Sequence, residues 1–246
     1  MEIKNLEKIH QKARNITRLY VNDIIKFSGD NVVSVLAHGS VTSCEYNPKY
    51  SDINLAIILK DMSIPELKKM LKVIKIGMRH GVPAPLFLTK AYIEKSMDTF
   101  PMEFMTMKDS GCVLAGEDVF TGLEAKHEDL RKECEYQIKG KLLTLRQAYL
   151  ENARDRRGME RLIKVSFKAL LPVFQNMLRL KMKTPPAHKE EILSQMVEAF
   201  GVEMTSFLEI LKDKKFDGRI GNKNAELFVM DFITQLERLS DVIDKL

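Results

Sequence analysis

Two short stretches hold residue types that could act together. His38-Gly39-Ser40 closes one apolar run, and Ser51-Asp52-Ile53-Asn54-Leu55 opens the next. A Gly-Ser turn after a strand exposes backbone N–H groups and a hydroxyl, which together can hold phosphate oxygens. Asp52 and Asn54 stand two apart, and on a strand such residues face the same side. Oxygen ligands in that position suit Mg²⁺ and would set an attacking oxygen against a nucleoside triphosphate. A third ligand is expected from a neighbouring strand, and Glu103, just after Phe100-Pro101-Met102, is the candidate. The predicted metal set is therefore Asp52, Asn54 and Glu103, with Asp52 and Glu103 as the catalytic pair and Gly39 and Ser40 against the nucleotide.

These residues need elements to hold them. Residues 32–37 are rich in β-branched side chains and read as a buried strand, and residues 53–59 as a second. Residues 5–27 repeat apolar positions at helical spacing. Ser63-Ile64-Pro65-Glu66 reads as a helix start, with Ser63 and Glu66 as a capping box and Pro65 in the first turn. That helix should end near His80, before Gly81 and Pro83. Residues 86–89 read as a third strand, 91–97 as a short helix, 102–107 as a fourth strand carrying Glu103, and 111–116 as a short fifth. The order predicts an α/β (α+β) domain with a mixed sheet flanked by helices.

The texture changes near Gly122. Residues 130–152, 159–181, 189–200, 203–212 and 225–245 all fit helical periodicity, separated by Gly158, Pro185-Pro186, Gly201 and Gly218/Gly221. Pro172 should kink the second of these. The expected division is residues 1–122 as the α/β domain and 123–246 as an all-α helical bundle. On the first of these helices, Glu135, Lys139, Leu142 and Arg146 fall close to one face. One reading is a solvated charged face. The other aims Lys139 and Arg146 at a triphosphate in the cleft between domains.

Composition narrows the field. The chain has 246 residues, 45% hydrophobic and 30% charged, with a net charge of +5. That rules out global disorder. No apolar run approaches the ~18–20 residues of a membrane helix, so no membrane partner is expected. The charged N-terminus lacks the apolar core of a signal peptide. Three widely spaced cysteines, Cys44, Cys112 and Cys134, fit a reducing cytoplasm better than a disulfide framework or a zinc site. P-loop, dinucleotide, HExxH, GxSxG and kinase signatures are absent. Without a dense basic stripe or an aromatic platform, a nucleic-acid partner is not expected.

The stretch HGSVTSCEYNPKYSDINLAII resembles the nucleotidyltransferase superfamily with the DNA polymerase β-type fold, whose pattern is Gly-Ser, a loop, then Asp-x-Asp on the next strand. FPMEFMTMKDSGCVLAGED and LRKECEYQIKGKLLTLRQAYLE look like the segments that follow in uncharacterised bacterial members, and antibiotic adenylyltransferases with a helical C-terminal domain look like architectural relatives. The resemblance implies Mg²⁺-dependent transfer of a nucleoside monophosphate from an NTP such as ATP to a small-molecule acceptor. In that reading Gly39, Ser40, Lys139 and Arg146 bind the nucleotide.

The sequence departs from the pattern at Asn54, where a second Asp is usual. An amide can coordinate through its carbonyl but brings no negative charge. Either one metal is held by Asp52 and Glu103, or the protein is a catalytically inactive module that keeps the fold for nucleotide or protein binding.

Overall fold

The computed structural model describes residues 1–43, 46–49, 51–152, 155–182, 184–216 and 225–246. Cys44, Gly218 and Gly221, used above, lie outside them. The chain separates into two compact units, Met1–Glu124 and Ala125–Leu246.

The first unit is built on a four-stranded mixed sheet. Strands β1 (Val32–His38), β2 (Asn54–Leu59), β3 (Leu86–Leu88) and β4 (Cys112–Gly116) lie in the order β3-β2-β1-β4. β1 pairs antiparallel with β2 and β4, and β2 pairs parallel with β3. Helices α1 (Arg14–Ser28), α2 (Ile64–Arg79), α3 (Lys90–Lys95) and α4 (Pro101–Ser110) complete it. The period-two alternation of the strands sorts their side chains into two cores. Val35, Ala37, Leu55, Ile57 and Leu59 pack with Tyr20 and Ile24 of α1 and Met70 and Val73 of α2. Leu36, Ala56, Ile58 and Leu88 face the other way, against Ile93, Phe104 and Met107 of α3 and α4. Each fully buried aliphatic side chain contributes about 1.5–3 kcal/mol, so the central strands dominate the unit's stability.

Three local expectations change. Residues 102–107 form helix α4, not a strand, with Pro101 in its first turn. Phe104 and Met107, three apart, turn one helical face onto the sheet, so the period is that of a helix. The first helix begins at Arg14 rather than near residue 5. The residues before it are drawn onto the sheet edge: Ile3 bridges Ala115, the Lys4 N–H donates to the Leu114 carbonyl at 2.8 Å, and the Asn5 side chain donates to the Val113 carbonyl at 2.9 Å. Pairing the open edge of β4 outweighs helical periodicity there. The capping box does not form. Ser63 donates from its N–H and hydroxyl to Asp61, and Glu66 accepts from Asn31 instead.

The second unit is helical: α5 (His127–Asn152), α6 (Arg156–Arg179), α7 (Lys189–Phe200), α8 (Thr205–Phe216) and α9 (Ala225–Ile243). Phe207 sits at its centre, with ring centroids 4.5 Å from Phe232, 5.1 Å from Phe174 and 6.3 Å from Phe167. The helical assignment of α6 runs unbroken through Pro172, whose carbonyl accepts from the Asn176 side chain at 2.9 Å. Cys112 and Cys134 are buried thiols, and burial raises both pKa values, so neither is poised as a nucleophile.

Helix α2 crosses α1 closely at Gly77, where an added Cβ would collide with the buried ring of Tyr20. Gly77→Ala should therefore lower stability by about 1–3 kcal/mol despite alanine's better helix propensity. Urea unfolding followed by circular dichroism measures this, and an unchanged or raised midpoint would contradict the close crossing.

Candidate functional site

The candidate site lies where β1 ends and β2 begins. β1 delivers the chain into a 3-10 turn, Gly39–Thr42, and His38 pairs across to Asn54, the first residue of β2. Gly39 has φ +77°, a backbone region in which side chains other than glycine's are strained. A Cβ at this position would lie 3.5 Å from Nδ2 of Asn54, so the turn passes directly beside the Asn54 amide. The Thr42 hydroxyl donates to the Gly39 carbonyl at 2.8 Å. The Ser43 N–H and hydroxyl both donate to the Ser40 carbonyl at 3.0 Å. These bonds engage the carbonyls of the turn. The N–H groups at its start have no acceptor within it.

The loop returning to β2 is pinned by Asn47. Its side-chain oxygen accepts from the Lys49 N–H at 3.0 Å, and its carbonyl accepts from the Ser51 N–H at 2.8 Å. The Asn47 side-chain bond to Lys49 is an Asx turn, and the Ser51 hydroxyl accepts from the Asn47 N–H at 3.1 Å. Asp52 follows, exposed and just outside the strand. Ile53 is buried with Leu55 and Ile57. Asn54, half-buried, shares the opposite sheet face with Ala56 and Ile58, as does His38 with Leu36. Burial lowers the His38 pKa, so the imidazole is neutral at pH 7. The Tyr46 phenol has a raised pKa, first through burial and then through the negative charge of Asp52. Tyr46 in turn packs on His10, ring centroids 5.3 Å apart.

Glu103 stands elsewhere than expected. It is exposed in the first turn of α4, seven residues before the Ser110 end that leads into β4 beside Ala37. At ~1.5 Å per residue that is about 10 Å of helix. None of the four strands contains an Asp or a Glu, so no neighbouring strand supplies a carboxylate. Among the described residues no group of three or more His, Cys, Asp or Glu gathers closely enough to hold a metal ion.

Lys139 and Arg146 lie on α5 in the second unit. Lys139 is ion-paired with Glu135 at 2.6 Å and Asp244 at 2.7 Å, and Arg146 with Glu237 at 2.6 Å. These contacts match the solvated-face reading: partly exposed pairs are worth about 0–1 kcal/mol each and exchange readily with water. Sequence reasoning passed over the His10–Tyr46 contact. The Asn47-Pro48 pair signals the turn, but nothing local to either ring announces a contact 36 residues apart.

No protein-family model matches the chain, and no curated protein matches it. Among solved structures it is similar to the spectinomycin adenyltransferase AAD(9) from Enterococcus faecialis, crystallised with ATP and spectinomycin. The TM-score is 0.52 at 11% identity, covering 89% of this chain and 99% of that one. At this identity the likeness establishes the fold alone: a nucleotidyltransferase-like mixed sheet flanked by helices, followed by a helical region.

Two outcomes follow from the geometry. Gly39→Ala should cost about 1–2 kcal/mol through the left-handed φ, read as a lower urea midpoint. Asp52→Asn should lower the Tyr46 pKa, because removing the negative charge eases formation of the phenolate. Tyrosine ¹³Cζ shifts followed against pH measure it, and an unmoved Tyr46 titration would separate the two residues.

Proposed function

We propose that the chain binds a nucleoside triphosphate at the Gly39–Thr42 turn and transfers its nucleoside monophosphate to a hydroxyl of a small-molecule acceptor. The observation that carries this reading is the His38–Asn54 pair, which sets a Gly-Ser turn of the right chemistry beside a half-buried amide and close in sequence to an exposed carboxylate. The neighbour of similar fold was crystallised with ATP and a small antibiotic, which agrees in kind.

In this reading the N–H groups at the start of the turn and the Ser40 hydroxyl hold phosphate oxygens, and Gly39 lets them approach the backbone closely. Mg²⁺ is commonly held by one or two carboxylates plus substrate phosphates and water. Asp52 with the Asn54 amide oxygen meets that minimum for one ion carried by the triphosphate, and not for a pair of ions. Bound there, the ion supplies charge neutralisation at the phosphates. The acceptor oxygen bonds to the α-phosphorus, the bond to the β-phosphate oxygen breaks, and pyrophosphate leaves. In this reading Asp52 takes the acceptor's proton. Glu103 is a secondary candidate for that role.

A second reading has its own observation. No strand carries an acidic residue, which favours a module that binds nucleotide without transferring it.

Calorimetry with ATP, GTP, CTP and UTP, with and without Mg²⁺, tests the site. Metal-dependent binding that falls about tenfold or more in Asp52→Ala is expected. Absence of binding at millimolar nucleotide would remove the transferase reading and leave a module for protein binding. Asn54→Asp should tighten Mg²⁺-dependent binding by restoring a charge. Pyrophosphate release with candidate hydroxyl acceptors then separates transferase from silent module.

A further inference from the structure

The charge of this chain is unevenly placed. Helix α2 carries five cations and one carboxylate in 16 residues, while the whole chain has a net charge of +5. Lys69 is paired with Glu66. Lys68, Lys72, Lys75 and Arg79 are exposed and make no ion pair among the described residues. The same outward face carries Ile64, Leu71 and Met78, which are 65%, 63% and 62% exposed. Their spacing of seven sets them in one row along the helix, about 21 Å long at ~1.5 Å per residue. The inner face is used by the fold, where Met70, Val73 and Gly77 are buried.

We propose that the outward face of α2 docks on an anionic lipid bilayer surface as a peripheral contact. The row of aliphatic side chains enters the headgroup boundary, and the lysines beside it meet lipid phosphates while their stems cover apolar surface. No membrane-crossing helix is involved, and none of the described helices is long and apolar enough for one. Charge and arrangement select this occupant. A second copy would bring like-charged faces together. A helical protein partner needs a dry seam, but the half-buried Leu67 and Ile74 that would complete one already pack on the core. A nucleic-acid backbone would leave the aliphatic row unused, and α2 holds no aromatic side chain for base stacking.

Co-sedimentation of the full chain with vesicles tests the proposal. Binding is expected to equimolar phosphatidylcholine–phosphatidylglycerol vesicles and not to phosphatidylcholine alone, and it should weaken as salt rises. Charge reversal at Lys68, Lys72, Lys75 and Arg79 should weaken partitioning about tenfold or more. Ile64→Ser with Leu71→Ser and Met78→Ser should also weaken it at unchanged charge. All seven positions face outward, so an unchanged thermal transition confirms that each variant is folded. Equal binding to both vesicle types, undiminished binding of either folded variant, or retardation of a DNA duplex without vesicle binding would overturn the proposal. The readout uses no nucleotide, so it stands or falls separately from the proposed transferase site.

Discussion

The antiparallel pairing of β1 with β2 is the constraint on which the first unit depends. Leu36 and Ala37 pair with Ala56 and Leu55, and these strand centres are buried on both faces. Slipping the register by one residue would turn each side chain toward the wrong core. That same register places His38 opposite Asn54 and carries Gly39 out of the sheet beside it. The candidate site is thus held by the most deeply packed pair of strands, while its working atoms stand at their end. Rigid strands presenting loop residues is the arrangement that positions chemistry without spending core residues on it.

Electrostatics at this edge is defined by what is missing. Asp52 is exposed to solvent, where its charge is screened and carries little desolvation cost. Asn54 contributes an oxygen but no charge, and the strands on either side of β2 contribute no acid. A cluster of carboxylates at a strand end repels itself unless a cation is bound. An edge with one carboxylate avoids that repulsion and gives up metal affinity with it. In the proposed site the Gly39–Thr42 turn faces the phosphates, while one carboxylate, Asp52, and one amide, Asn54, stand as the metal set. The neutral His38 on the same face leaves this balance unchanged.

The two units distribute charge differently. On α5 Arg131, Lys132, Lys139 and Arg146 are paired with Glu128, Glu135, Asp244 and Glu237, so that helix presents a largely balanced surface. On α2 five cations stand beside one another with a single carboxylate, Glu66, within the helix. Like charges on adjacent helical turns cost a few tenths of a kcal/mol per pair, so this helix is sustained by its buried face rather than by its surface.

Much of the fold was legible in the sequence by itself. Short apolar runs in residues 32–37 and 53–59 marked β1 and β2, because a strand buried on both faces reads as a nearly continuous apolar stretch. The Gly-Ser turn and the Asn54 substitution were likewise readable, since both are local facts about residue type. The helical texture after Glu124 was visible for the same reason, in its 3.6-residue period. Tertiary structure decided what sequence spacing left undetermined. Residues 102–107 mix methionine and phenylalanine in a run short enough to suit either period, and only packing of Phe104 and Met107 on the sheet made it a helix. That choice moved Glu103 off the predicted strand. The chain before Arg14 became an edge of the sheet because β4 had open hydrogen-bonding groups, a demand set by a segment some 110 residues away. Residue types named the chemistry; long-range pairing determined which of those residues meet.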